Sequence, residues 1–168
     1  LEKLGAEVVE VSVPMLEHSA GAHIPIMMGE AFAYHQGTVR ESPELFGEMC
    51  RARFRQGALF TAADYVQGQR VRNVLKREFA EVLDEVDVIV SPTFSNPPGR
   101  FDEMDAMSSS RSPSFTAPYN MTGMPAVSVP CGFTSAGLPV GLQIAGRPFD
   151  EPAVLRTAFT YQQHARFF

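Results

Sequence analysis

This 168-residue chain lacks most of the features that would assign a sequence to a class of protein at sight. Its two cysteines, Cys50 and Cys131, form no Cys-x-x-Cys pair, so no disulfide framework is predicted and a reducing, cytoplasmic compartment is expected. No apolar stretch approaches about 18 residues, so no contact with a membrane is predicted. Lysine and arginine form no run and the net charge is -5, so nucleic acid is not expected as a partner.

Metal-binding patterns are also missing. The four histidines, His18, His23, His35 and His164, show no His-x-x-x-His or similar ligand spacing. The sequence therefore predicts neither a metal site nor another cofactor, and surface or capping positions are the simpler interpretation of these side chains.

The composition is that of an ordinary globular domain, 45% hydrophobic and 20% charged. The first residues, 1–5, are typical of the last turn of a helix, with Gly5 as a left-handed cap. Ala6–Pro14 then has the pattern of a strand. Because a domain seldom begins in the last turn of a helix, residues 1–168 are interpreted as a single segment of a domain that is truncated at its N-terminus.

Helices are expected in the first half of the chain. Apolar spacing predicts one over Ser19–His35, ended by Gly37. Ser42 is expected to cap a second helix with Pro43 in its first position. Thr61 and Asp64 indicate a capping box at the start of a longer helix.

Strands are expected mainly in the second half. Val86–Val90 is largely apolar, which predicts a central strand in a covered sheet. Ala126–Val129 and Leu138–Ile144 flank a glycine-bearing turn and are predicted to pair as an antiparallel hairpin. With the helices, these strands predict an α/β fold in which a mixed β-sheet is flanked by helices.

Three further segments complete the expected order. Pro92–Pro113 has the composition of a long loop, and Phe115–Thr122 is predicted to form one or two helical turns. Asp150 is expected to cap a last helix that runs to about Arg166, with Leu155 and Phe159 facing inward.

The cysteine and serine side chains give little indication of a catalytic nucleophile. Cys131 has no adjacent base and is better explained as a small buried residue at a strand end. Ser108-Ser109-Ser110 lacks flanking glycines and is better explained as solvated loop. Asn120 precedes a Gly-x-Pro turn, where its side chain is expected to join two backbone segments.

Three stretches in fixed order resemble the C-terminal part of the amidase signature family. They are Val86–Thr93 with its Ser-Pro-Thr end, Thr116–Gly132 with Asn-x-x-Gly-x-Pro-Ala, and Gly137–Gly146. The resemblance extends over nearly the whole chain and implies the C-terminal portion of that family's α/β/α fold.

The resemblance also implies a chemistry. The family cleaves carboxylic amides through a Ser-Ser-Lys centre and an acyl-enzyme, with all three residues in the N-terminal half. Lys3 and Lys76, the only lysines here, match neither the motif nor its setting. No catalytic residue is therefore assigned to this chain, and the isolated segment is expected to be an inactive, substrate-pocket part of an amidase.

By the same resemblance, pocket-wall candidates are Thr93, Phe115, Thr116 and Tyr119, with Asn120 as a scaffold residue beside them. The aromatic members favour a small-molecule amide with apolar or aromatic bulk. The glutamine-using branch of the family places an acidic residue where this chain has Pro113, so a general amidase is favoured.

Two alternatives stay open. One is a non-catalytic binding or interaction module that keeps only this part of the fold. The other is one subunit of a glutamine-dependent, transfer-RNA-linked amidotransferase, which needs partner subunits. Truncation also predicts an exposed apolar face or a homo-oligomer that covers it.

Overall fold

The computed structural model describes residues 1–100, 102 and 115–165. These residues form five α-helices and three strands, with single 3-10 turns at Glu2–Leu4, Pro14–His18 and Pro43–Leu45. In chain order the elements are α1 (Ser19–Glu41), α2 (Glu48–Gly57), α3 (Ala62–Glu85), β1 (Ile89–Pro92), α4 (Ala117–Thr122), β2 (Ala126–Phe133), β3 (Pro139–Ala145) and α5 (Glu151–His164).

The three strands form one sheet in the order β1-β3-β2. The α/β class, with a sheet flanked by helices, is confirmed, as is the β2–β3 hairpin. Both pairings are antiparallel, whereas a mixed sheet was expected, because β3 lies between the other two strands and runs opposite to each. The same order puts β1 at an edge of the described sheet rather than at its centre.

Helices cover both faces of the sheet. On one face, Ala145 of β3 joins a core formed mainly by α1, α3 and α4, and Ile89 of β1 packs against it. On the other face, Ile144 packs with Val154 and Ala158 of α5. Neighbouring strand residues point to opposite faces, so the apolar pair Ile144-Ala145 supplies both cores and produces an α/β/α layering.

Two glycines bring the helices close together. A Cβ at Gly57 of α2 would lie 2.2 Å from the Met28 carbonyl oxygen, and one at Gly68 of α3 would lie 2.9 Å from the Ala22 oxygen. Both carbonyls belong to α1. The missing side chains therefore let α1 pack against two helices at backbone distance.

The predicted caps are largely confirmed. The Thr61 hydroxyl accepts the Asp64 amide and the Asp64 carboxylate accepts the Thr61 amide, which completes the capping box of α3. Asp150 accepts the Ala153 amide at the start of α5. Gly5 has the expected left-handed conformation, with φ of 87°.

Two helix boundaries were predicted wrongly. Helix α1 continues through Gly37 to Glu41, because a helical glycine costs only about 1 kcal/mol and Val39 is buried beyond it. Ser42 makes no side-chain capping bond, and Pro43 begins a 3-10 turn rather than α2.

The strand predicted over Ala6–Pro14 is also absent. Residues 6–13 have no regular structure and pair with no strand in the described chain, and Pro14 begins a 3-10 turn. Val8 and Val9 are each 51% exposed. A strand needs a partner for its backbone groups, and the apolar pattern alone does not supply one.

The inward face of α5 differs from the prediction as well. Leu155 and Phe159 are 59% and 62% exposed, while Val154 and Ala158 contact the sheet. The helix is thus rotated by about one residue from the predicted orientation, because the small Ala158 allows a closer approach to the strands.

Some sequence predictions fall on residues that the structure does not describe: Ser108–Ser110, Pro113 and the end of the last helix at Arg166. Of the helices in the described ranges, none combines the length and apolarity needed to cross a membrane.

Candidate functional site

The face of the sheet that carries Ala145 becomes polar two residues away. Gln143 on β3 lies opposite Ser91 on β1 and Ser128 on β2. Directly opposed residues in antiparallel strands share a face. A band of hydroxyl and amide groups therefore crosses all three strands next to the apolar core.

The next step along the strands brings two hydroxyls together. Thr93, just beyond β1, places its Oγ1 2.6 Å from Oγ of Ser128 on β2, although β3 lies between them. The β3 residue at the crossing is Gly141, where a Cβ would lie 2.7 Å from each hydroxyl oxygen. The Thr93 amide also donates to the Gly141 carbonyl at 2.9 Å. The hydrogen-bonded pair, called here the hydroxyl pair, thus depends on the absence of a side chain at Gly141.

Gln143 connects this band to the start of α4. Its Nε2 donates to the Phe115 carbonyl at 2.9 Å and to Ser91 Oγ at 3.2 Å. The side chain is only 4% exposed, so these bonds satisfy an amide that would otherwise be costly to bury. Gln143 therefore fixes the segment before α4 above the sheet.

Tyr119 of α4 lies in the core rather than at an open surface. It is 7% exposed and packs against Phe79, with ring centroids 5.6 Å apart. Burial raises the pKa of the Tyr119 phenol, and a side-chain hydrogen bond with Ser91 acts in the opposite direction. Tyr119 therefore contacts Ser91 of the polar band from the side of the helical core.

A cavity of about 960 Å³ opens beside the hydroxyl pair. Its wall combines the residues after β1 with the facing parts of β2 and β3. None of the described lining side chains is charged. The lining residues are Pro92, Thr93, Phe94, Ser95, Asn96, Pro97, Pro98, Gly99, Ser128, Val129, Pro130, Thr134, Pro139, Val140 and Gly141.

The predicted pocket residues are divided by the structure. Thr93 lines the cavity, and Phe115 is joined to the polar band through its carbonyl. Thr116 is the half-buried residue before α4. Asn120 is exposed, and its side chain makes no hydrogen bond within the described ranges, so the expected link between two backbone segments is not found.

Sequence reasoning missed Ser128, Gly141 and Gln143. The signal for two of them was present, because alternation along β3 places Gly141, Gln143 and Ala145 on one face. The approach of Ser128 to Thr93 had no such signal, since it depends on strand order.

Cys131 does not have the surroundings of a nucleophile. It is half-buried at the bulge in β2, inside the strand rather than at its end, and its Sγ donates to the Val140 carbonyl at 3.5 Å. Burial raises the pKa of the thiol, which disfavours the reactive thiolate. The described residues contain no group of three or more metal-ligating side chains.

A second cavity, of about 550 Å³, lies between α3 and the turn before α5 and has a different character. Its wall includes Arg72, Lys76 and Asp84. Arg147 also lines it and donates to the carbonyls of Leu83 and Val86 at the end of α3. Arg147 thereby complements the negative end of the α3 dipole, whereas Arg72 and Lys76 lie in earlier turns of α3.

Known proteins resemble this chain in sequence. A family model described as Amidase matches residues 1–155. An amidase of Pseudomonas putida is 40% identical over 97% of the chain. A glutamyl-tRNA(Gln) amidotransferase subunit of Methanosarcina barkeri is 35% identical over 99% of it.

Solved structures resemble it in fold. A crystal structure of an amidase superposes with a TM-score of 0.86 at 26% identity, over 98% of this chain and 39% of that one. The glutamyl-tRNA(Gln) amidotransferase subunit of the same name from Thermotoga maritima gives 0.79 at 30% identity, over 99% and 36%. The chain likewise spans 36% and 40% of the two curated relatives.

Proposed function

The chain belongs to the amidase family, and from that premise we propose that it is the substrate-pocket part of a hydrolase that cleaves carboxylic amides. The family match over residues 1–155 carries this proposal. The relatives are more than twice as long, which supports a Ser-Ser-Lys centre in sequence outside these 168 residues as part of the proposal. The isolated chain is expected to have no hydrolytic activity.

The roles of the residues follow from the cavity beside the sheet. Thr93 contributes a wall group, while Phe115 and Thr116 precede α4 and are connected to the sheet by the hydrogen bond from Gln143 to the Phe115 carbonyl. Tyr119 contacts the sheet from the core through Ser91, and Asn120 lies in α4. No step of bond cleavage is assigned to any of them, because the nucleophile and its base are supplied elsewhere.

One component of a glutamine-dependent amidotransferase is the second candidate, favoured by the relatives that bear this name. Glutamine carries an ammonium and a carboxylate group at neutral pH. Buried or half-buried charges are stabilised best by charged partners, and none of the described side chains that line the 960 Å³ cavity is charged. This difference favours an amidase. A non-catalytic module is the third candidate.

The first experiment is the intact mass of the natural polypeptide together with its N-terminal sequence. A mass well above 18.4 kDa, with a Gly/Ser-rich segment ahead of Leu1, is expected. That longer polypeptide should release ammonia from a neutral amide, whereas the 168-residue chain should not.

Three results would contradict the proposal. A polypeptide of 18.4 kDa that begins at Leu1 would favour the non-catalytic module. A longer polypeptide that hydrolyses no amide would remove the activity. Co-purification with partner subunits and transfer of ammonia from glutamine would favour the amidotransferase.

A further inference from the structure

We infer that the hydroxyl pair over Gly141 is a recognition element that selects substrates by the uncharged amide or acyl group they place in the cavity. The inference concerns Ser128 and Gly141 together with Thr93, and it rests on the proposed function for the identity of the ligand. The binding element itself is defined by the geometry of three strands.

The hydroxyl pair keeps one donor free. Each hydroxyl has one proton and two acceptor sites, and a single proton lies between Thr93 Oγ1 and Ser128 Oγ at 2.6 Å. Whichever hydroxyl accepts that proton retains its own, and neither makes another side-chain hydrogen bond in the described chain. The free O–H is polarised by the bond that its oxygen accepts, which suits it to donate to a carbonyl oxygen.

The described residues around the pair carry no charged side chain in the cavity lining. Proline, valine and phenylalanine side chains make up much of the cavity wall, and the described lining has no ionisable group. An ionised ligand would lose its hydration there without a charged partner. A neutral amide attached to an apolar group would instead exchange water for a hydroxyl donor and apolar contact.

Gly141 makes the arrangement specific. With any side chain there, the Cβ would meet both hydroxyl oxygens at 2.7 Å and Thr93 Cβ at 3.2 Å. These distances are well below ordinary contact, so one hydroxyl would have to move. The glycine therefore sets the spacing of the pair and, through Thr93, the position of the segment that forms the other cavity wall.

The test is a titration of the 168-residue chain followed by NMR, with four probes. Phenylacetamide is the neutral amide, phenylacetate and L-glutamine are the charged comparisons, and ethylbenzene is the apolar probe without a hydrogen-bonding group. Phenylacetamide is expected to bind at least tenfold more tightly than either charged probe.

The variants separate recognition from structure. Thr93→Val keeps the shape but removes the hydroxyl, and should weaken phenylacetamide binding by roughly 2- to 10-fold, the value of one hydrogen bond. Ethylbenzene binding should be unchanged, which a merely structural role would not predict. Thr93→Ser should restore the affinity, and Ser12→Ala, at an exposed serine outside the cavity lining, is the matched control.

Gly141→Ala is expected to reduce phenylacetamide binding more than Thr93→Val does, and a thermal unfolding curve establishes that the variant is folded. Equal binding of L-glutamine, no binding of phenylacetamide, or a loss in Thr93→Val that ethylbenzene shares would each overturn the inference. Selective binding by this chain beside an absence of hydrolysis in the longer polypeptide would overturn the proposed function and leave the inference in place.

Discussion

The half of the sheet face that carries Ile89 and Ala145 is buried under α3 and α4, whereas the half that carries Thr93 and Ser128 opens into a cavity. The two halves belong to the same strands and are joined at Gln143. The backbone pairing is continuous, so the change from core to site lies in the side chains. Apolar groups bind the helices in one half, and small hydroxyls with one glycine leave space in the other.

One half of this sheet face therefore stabilises the fold, and the other half carries the candidate site. The covered half contributes the free energy of folding through buried area. The open half exposes polar groups whose positions are fixed by their rigid neighbours. Gln143 lies at the boundary between the two halves. Its side-chain amide donates hydrogen bonds to Ser91 of β1 and to the Phe115 carbonyl just before α4.

The largest effect is expected in the covered half. Leu75→Ala removes a fully buried side chain from the core against α4 and should lower the free energy of unfolding by about 2–5 kcal/mol. Leu155→Ala, at an exposed position of α5, is the matched control and should change it by less than about 0.5 kcal/mol. Urea unfolding measures both, and equal losses would show that the described core is wrong.

A smaller effect is expected at the boundary. Gln143→Leu keeps the volume but leaves the Phe115 carbonyl without the Gln143 donor and removes one hydrogen bond to Ser91, at a cost of about 1–3 kcal/mol. The same change at exposed Gln162 should cost less than about 0.5 kcal/mol. If Gln143 holds the segment before α4, amide hydrogen exchange at the start of α4 should be faster in Gln143→Leu than in the unchanged chain. Unchanged exchange there would argue against this role of Gln143.

The smallest expected effect is a dependence of the free energy of unfolding on pH, caused by His23 of α1, one of the helices of the core that covers the sheet. Burial lowers the pKa of His23 on α1 below 6.5, so the unfolded chain binds this proton more readily than the folded chain. Stability is therefore complete above about pH 6.5 and falls as the pH drops from there through the folded pKa. His23→Gln should remove this slope, while His164→Gln at an exposed position should leave it. If the free energy of unfolding of His23→Gln still falls as the pH drops below about 6.5, a group other than His23 causes the pH dependence.

Local signals predicted the elements well where one segment decided its own structure. The Thr61–Asp64 capping box, the Asp150 cap and the hairpin around Gly137 each use side chains within a few residues of one another. The strand predicted over Ala6–Pro14 failed for the opposite reason, since a strand exists only through a partner. Helix α1 passed through Gly37 because burial of Val39 outweighs the local cost.

The candidate site was predicted in part for similar reasons. Thr93 and Phe115 were named from a resemblance that carries information about the fold. Tyr119 was named with them but lies in the core, because its aromatic ring packs on Phe79. Alternation along β3 put Gly141 on the same face as Gln143, but no local signal marked Ser128.

The sequence by itself determined the family, the caps of α3 and α5 and the hairpin. Each of these features depends on the identity of single residues or on residues that lie only a few positions apart in the chain. Only the tertiary structure decided that Thr93 and Ser128, 35 positions apart, share a hydrogen bond across a third strand. The order of strands in a sheet depends on packing between distant segments, and the meeting of side chains follows from that order.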